Sequence, residues 1–501
     1  MTRLTLKAVV LLTVSSIVFL SELLAAQVPT ASSRPDFSPV RDFIEREAGL
    51  GTSTPSIAVA VTRGNQILWE EGFGSIDRPG GTVATPHTLY YVASVTKTVT
   101  ATALMLLQER HLLDLDSPVN RYLKAVKVRS PLWNADDVTV RHIATHTAGL
   151  GTYDARNDIP GIETIRRYGI VFTRPGETFD YSNLGYGVLG QIITDVSGRG
   201  FQTFVQDEVL RPLGMVDAWA GPTPKSHHPV APRYNSQSKA FSPPLTEPQL
   251  PGASVLFCSA HELALFGMFH LKSRTPQQKA ILPDAAIDRL QEPFISTGDH
   301  RQSPAWSIAD NQHGYRTLLA QGGTADSQAW LLLVPKARIA VVVLANSGSI
   351  NASGLIDRIL SMLLPSYREN LAASVPSPSQ ATPAAATGSG TAPSELVGAW
   401  SGEIQTHRGD VPLTLAIKSS GEITATLAHQ PVVSMTDVRI TADRVAARMH
   451  GDLGVDSVGT APYQLRFALR KVGDRLAGST ITWATAGRLP FWVELTRGQD
   501  K

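Results

Sequence analysis

Between Leu371 and Ser394 the chain carries almost nothing that it could bury, because Pro, Ala, Ser, Thr and Gly dominate the stretch. Such a composition makes a flexible or partly extended linker. A chain of 501 residues broken in this way is expected to build separate cores on either side of the break. The expected layout is a signal segment over 1–26, a large block over 36–370, the linker over 371–394 and a small block over 395–498.

The composition sets outer limits. A hydrophobic share of 43% and a charged share of 18% suit a globular chain with a sizeable core, and a net charge of +2 argues against a nucleic-acid partner. One cysteine, Cys258, excludes an internal disulfide, and no His or acid stands near it at a spacing that would activate a thiol. At the N-terminus Arg3 and Lys7 precede the apolar run Ala8 to Leu20, and the small residues Ala25 and Ala26 follow. That pattern is a secretion signal, with the mature chain starting near Gln27. Glu22 leaves the run short for a bilayer span, so no stable membrane span is expected after cleavage, and the location is expected to be periplasmic or secreted.

The two blocks differ in pattern. In the large block, Ile57–Thr62 and Gln66–Glu71 flank Arg63-Gly64-Asn65, and Ala329–Val334 and Ile339–Leu344 flank Pro335-Lys336. Two terminal hairpins around a helical middle predict an α+β domain whose chain ends meet in one antiparallel sheet. The small block alternates apolar and polar residues, as in Leu413, Leu415, Ile417 and again in Tyr463, Leu465, Phe467, Leu469. That period of two predicts a small all-β barrel or sandwich. Gly398-Ala399-Trp400 loosely resembles a lipocalin-type opening.

The chemistry is expected to centre on Ser94-Val95-Thr96-Lys97. The following stretch, Val99 to Leu107, is apolar almost all round and describes a buried helix. At its N-terminus Ser94 would feel a dipole that favours developing negative charge, and Lys97 would return to the same face. A desolvated lysine loses its charge more easily and can then relay a proton, which a serine nucleophile requires. The same spacing recurs at Ser236 to Lys239, in a Pro- and Ser-rich stretch with no helix to align the pair. A plain N-cap serine is the bland alternative for Ser94. Tyr181-Ser182-Asn183 lies in a loop expected to lead into a helix from Val188 to Val196. There a phenol beside a buried ammonium could act as general base, and the Asn183 amide could hold the lysine and a substrate carbonyl. A structural tyrosine with a capping asparagine is the alternative.

Taken in order, these elements resemble the serine β-lactamase/penicillin-binding-protein superfamily, closest in style to class C β-lactamases and related esterases and D-amino-acid peptidases. The resemblance runs from about Pro55 to Ser347. It takes in Tyr91 to Lys97, Leu113-Asp114-Leu115-Asp116-Ser117-Pro118-Val119, Arg141 to Leu150, Tyr181-Ser182-Asn183 and Arg211-Pro212-Leu213-Gly214-Met215. It implies a β-lactamase/transpeptidase-like domain followed by the small barrel or lipocalin-like domain. It also implies two-step acyl transfer without a cofactor: Ser94 attacks, Lys97 and Tyr181 move protons, and water releases the acyl group. Backbone N–H groups of Ser94 and of the strand near Gly323 would hold the oxyanion. His142 and His146 take structural places in that pattern, and no G-x-S-x-G elbow supports a Ser-His-Asp triad.

One motif departs from the pattern. Where the superfamily presents Lys or His, then any residue, then Gly, this chain reads Leu319-Ala320-Gln321-Gly322-Gly323-Thr324, so either Ala320 or Gln321 takes the basic position. Gln321, Gly322 and Gly323 join Asn183 as expected substrate-binding residues. Without a cation there, a substrate carboxylate loses a charge-assisted bond, and an ester or uncharged amide gains weight over a β-lactam. Arg316 is the nearest cation upstream. The expected function is an exported serine hydrolase acting on a small-molecule or peptide ester or amide. The alternatives are a D-Ala-D-Ala carboxypeptidase, D-aminopeptidase or β-lactamase, and a penicillin-binding or sensor-like protein with little turnover. No metal site is expected, since His227-His228 lack the spacing and company of ligands. The small block shows no chemical constellation; packing on the cleft or driving oligomer formation is its expected role.

Overall fold

The computed structural model describes residues 35–498 apart from 47, 52, 78–80, 152–159, 236–239, 242–249, 298–299, 305, 375–390, 456–460 and 485–486. The signal segment, the second Ser-x-x-Lys copy and most of the linker lie outside the described residues. No helix among the described residues is long and apolar enough to cross a membrane.

The two predicted hairpins do meet. An eight-stranded antiparallel sheet runs in the order Gln66–Gly74, Ser56–Arg63, Ile339–Ala345, Ser327–Val334, Tyr315–Thr324, Ser307–Gln312, His300–Gln302, Ile295–Thr297. Val59 pairs with Val343 across the seam between the chain's early and late strands. Ser56–Arg63 is buried through Thr62 and Ile339–Ala345 throughout, because helices cover both faces of the sheet's centre. Helix Ala260–His270 packs on one of these faces, and helix Ala352–Leu363 also packs against Ile339–Ala345.

A helical layer stands beside the sheet, built around helix Thr96–Glu109, in which every residue from Thr96 to Leu107 is buried. The adjoining helix begins at Asn183 rather than at Val188, and runs to Ser197. Ser182 caps it, its hydroxyl accepting from the Gly185 N–H at 2.9 Å. The early start is hidden in the sequence by Gly185 and Gly187, which look like turn residues. Here they serve close approach, as Gly190 does further on: a Cβ on Gly187 would lie 2.3 Å from Leu250 Cδ2 and one on Gly190 2.8 Å from the Gly252 nitrogen. The segment 250–256 thereby slides between the two helices, and it also touches the chemistry described below.

The C-terminal block is one nine-stranded antiparallel sheet from Gly398 to Arg497. Its two end strands, Val433–Ser434 and Thr436–Ile440, are consecutive in the chain with Met435 between them, so the sheet curls into a nearly closed barrel. Apolar residues of the alternating pattern fill its interior, among them Trp400, Leu415, Leu465 and Phe467. Trp400 is fully buried and its indole N–H donates to the Leu396 carbonyl at 2.9 Å.

The barrel packs on the catalytic block. Phe172 stacks against Trp492 with ring centres 6.0 Å apart, Ile170 and Ala477 completing that apolar contact. Tyr168 and His407 share a hydrogen bond of 3.2 Å. Glu177 accepts from Arg444 at 2.6 Å and from Arg470 at 2.9 Å.

Candidate active site

Ser94 sits in a tight turn, Ala93–Val95, that passes directly into helix Thr96–Glu109. Its neighbour Ala93 has φ +45°, an unusual value for a residue with a side chain and a local strain of the kind found at reactive positions. The turn is locked from below. Thr96 Oγ1 donates to the Ala93 carbonyl at 2.7 Å and accepts from the N–H groups of Val255 and Leu256 at 2.9 and 3.0 Å.

Lys97 returns to Ser94 after one helical turn. Its Nζ donates to Ser94 Oγ at 3.0 Å, to Asn183 Oδ1 at 2.8 Å and to the Ala253 carbonyl at 2.9 Å. Tyr181 Oη donates to the same Ser94 Oγ at 2.9 Å. Lys97 and Tyr181, far apart in the chain, thus converge on one hydroxyl, and Asn183 joins them through the lysine. Tyr181 is 39% exposed while Lys97 is 4% exposed, so the phenol lines the open side of the site and the ammonium its floor. Burial lowers the lysine's pKa from its ordinary value, and the adjacent Tyr181 opposes that fall. The ammonium also faces the rings of Tyr181 and Tyr186, 4.9 and 5.4 Å from their centres.

The chemistry follows from the donor count. Ser94 Oγ already accepts from two donors, so its own proton can leave only when Lys97 or Tyr181 has given one up. A lysine of lowered pKa joined through the serine to a phenol is suited to that exchange.

His146 is a post rather than a base. It is 4% exposed, its Nδ1 accepts the Ser182 N–H at 3.1 Å, and its ring lies 4.4 Å from that of Tyr181. Burial, and secondarily the charge of Lys97, hold its pKa well below the usual histidine range, so it stays neutral. His142 closes a capping box with Thr139 at the start of helix Val140–Ala144. Arg141 grips Asp116 with two bonds of 2.7 and 2.9 Å, tying together two of the motifs read from the sequence.

The strand Tyr315–Thr324 passes directly over the nucleophile. A Cβ on Gly322 would lie 2.1 Å from the Val92 carbonyl and 2.8 Å from the Ser94 nitrogen, so only glycine fits. Strand alternation puts Ala320 on the same buried face, with Gln321 and Gly323 exposed on the other. Of the two registers open in the sequence, the structure therefore places Ala320, a methyl group, where the superfamily's cation would stand. Arg316 is held elsewhere, donating to the Gln291 carbonyl at 2.6 Å. Cys258 is buried beside the site's supporting strand and its thiol pKa is pushed well up by that burial, as befits a packed small residue. Sequence reasoning missed the Ala253 carbonyl; a backbone acceptor brought in by a loop carries no residue signature.

The family model for the β-lactamases matches residues 41–364, well over half of the chain and all of the residues just described. This chain belongs to the β-lactamase family. It is thus an enzyme of the serine β-lactamase/penicillin-binding-protein superfamily, in line with the resemblance read from its motifs. Curated relatives are distant: Protein flp of Staphylococcus aureus (strain MW2) is 23% identical over 64% of this chain and 65% of its own length. Unguisins hydrolase ungD' of Aspergillus campestris is 28% identical over 58% of each chain. The first of these alignments spans just under two thirds of the relative's length and the second rather more than half. Among solved structures, the octameric penicillin-binding protein homologue from Pyrococcus abyssi superposes with a TM-score of 0.58 at 20% identity, over 91% of this chain and all of that one. The shared fold therefore extends through the C-terminal barrel.

Proposed function

We propose that the protein is an exported serine hydrolase that cleaves a neutral ester or amide through an acyl-enzyme on Ser94. The convergence of Lys97 Nζ and Tyr181 Oη on Ser94 Oγ, at 3.0 and 2.9 Å, carries the reading. In this scheme the Ser94 proton passes into the Lys97–Tyr181 pair as Oγ attacks the carbonyl carbon. The oxyanion is held by the N–H groups of Ser94 and of the Gly323 region, and the leaving group takes the proton back. A water attacking along the same route then frees the acyl group. Asn183 and the backbone of Gly322 and Gly323 are the surfaces assigned to the acyl portion, whereas the Gln321 side chain lies on the strand face turned away from Ser94.

The substrate class rests on Ala320. With a methyl group at the position that would otherwise offer a charge-assisted bond, a free carboxylate beside the scissile bond has less to gain there. The Aspergillus campestris relative bears the name of an unguisins hydrolase, which supports hydrolysis by this scaffold. Export rests on the leader between Arg3 and Ala26.

The test is a side-by-side assay of a p-nitrophenyl ester, a chromogenic cephalosporin and a D-Ala-D-Ala peptide, with intact mass recorded. Ester turnover that disappears in Ser94→Ala supports the proposal. Preferential turnover of cephalosporin or peptide transfers the assignment to a β-lactamase or carboxypeptidase. A stable adduct without turnover would make it a penicillin-binding sensor. N-terminal sequencing of the protein recovered outside the cytoplasm, expected to begin near Gln27, tests export.

A further inference from the structure

We propose that Glu70, His87 and His261 form a binding site for one divalent transition-metal ion of the zinc class. The candidate ligand atoms of these three residues all lie within 4.8 Å of one another. Glu70 comes from the strand Gln66–Gly74, His261 from the first turn of helix Ala260–His270, and His87 from the turn that leads towards Ser94. His261 Nδ1 and Glu70 Oε2 are 2.8 Å apart, and the rings of His87 and His261 have centres 4.7 Å apart.

The backbone holds the three together. The His261 N–H donates to the Pro86 carbonyl at 3.1 Å, so the His87 turn is bonded to the helix that carries His261. The Thr85 N–H donates to the Thr88 hydroxyl oxygen at 3.0 Å, which fixes the turn itself. Beyond it, Leu89 bonds to Pro229 and Ala231, bringing His228 to stack on His87 at 5.8 Å.

The chemistry of the set is specific. Two imidazoles and one carboxylate form a common zinc donor set, leaving one position for water. Zinc bonds of about 2.0–2.1 Å place ligand atoms roughly 3.3 Å apart in a tetrahedron. To reach that spacing the His261–Glu70 pair, 2.8 Å apart, would open by about half an ångström and the exposed His87 would draw in from within 4.8 Å. His228 is engaged by Asp217 at 3.3 Å and stays outside the set. A metal here would rivet the strand, the helix and the turn preceding the nucleophile, and it touches none of the reacting groups. The site therefore stands independently of the substrate proposal.

Full-length protein, stripped with a chelator and free of any histidine tag, is titrated with Zn2+ by calorimetry and with Co2+ by visible absorption. One equivalent is expected to bind, with the intense bands of four-coordinate cobalt. His87→Ala, His261→Ala and Glu70→Gln each lower affinity by more than about tenfold, because even outer-shell partners of a metal site are worth about 10–100-fold. His227→Ala leaves it unchanged, and circular dichroism confirms that the variants are folded. No stoichiometric binding, or binding that survives in all three variants, overturns the proposal. So does binding lost in His228→Ala but kept in Glu70→Gln, or ester turnover that collapses on chelation, since that would put the ion at the reacting centre.

Discussion

Arg470, on the barrel, donates through one guanidinium nitrogen to both carboxylate oxygens of Glu177, at 3.0 and 2.9 Å, and Glu177 precedes Tyr181 by only four residues. Arg444 joins the same carboxylate. The C-terminal block therefore holds the loop that delivers the phenol. These pairs are partly exposed, so each is worth no more than about 0.2–1 kcal/mol. The double variant Arg444→Ala/Arg470→Ala is expected to lower kcat/KM by roughly two- to fivefold, as a loss of about 0.5–1 kcal/mol would. High salt should reproduce part of the loss in the wild-type protein. An unchanged kcat/KM would show that the loop holds its position without the barrel.

Lys97→Ala and Tyr181→Phe each remove one of the two groups that can accept the serine's proton. Loss of a positioned acid–base group costs about 10²–10⁴ in rate. Pre-steady-state acylation with a chromogenic ester measures this directly. Asn183→Ala should fall less far, because the Lys97 ammonium keeps Ser94 and the Ala253 carbonyl as acceptors. Acylation at the wild-type rate in either of the first two variants would mean that the proton takes another route.

Gly322→Ala is expected to reduce kcat severely. Its methyl group would meet the Val92 carbonyl at 2.1 Å, and relief requires the strand to move off the Ser94 turn. Thermal unfolding separates this from global damage: a modest fall in Tm with near-total loss of turnover is the expected result. Near-normal turnover would show that the strand can shift without harm.

His270 governs part of the acid sensitivity. Packed among Phe266, Phe269 and Trp306, it is fully buried, and desolvation pushes its pKa down to about 3. The unfolded chain binds a proton near pH 6.5 that the folded chain refuses, so stability falls as pH drops between these values. By pH 4.5 this costs about 2–3 kcal/mol. His270→Phe, measured by urea unfolding at pH 7 and pH 4.5, should lose about that much of the pH dependence. An identical acid slope in wild type and variant would assign the sensitivity to other groups.

What could be read in advance depended on whether a physical period marked it. The strands from Ile57 and Ile339 were legible because continuous apolar runs flank short turns, and the barrel because its residues alternate. Ser94 and Lys97 were legible because three positions make one helical turn. Tyr181 and Asn183 had no periodic tie to Ser94; their residue types suggested the chemistry, and the resemblance joined them to the serine. The start of the second helix was misplaced because Gly185 and Gly187 serve packing against Ile143 and Leu250 rather than a turn. The choice between Ala320 and Gln321 needed knowledge of which face of the strand meets the nucleophile. Glu70, His87 and His261 come from three separate elements, so no local spacing could have announced them.

The barrel's two outermost strands are joined through Met435 alone, which leaves little room for a foreign strand to slip in between them. Proteins with long exposed sheet margins risk templating one another into aggregates. Here the wrap-around removes most of that hazard from the C-terminal block, so association through the barrel would have to be written in side chains on its outer wall.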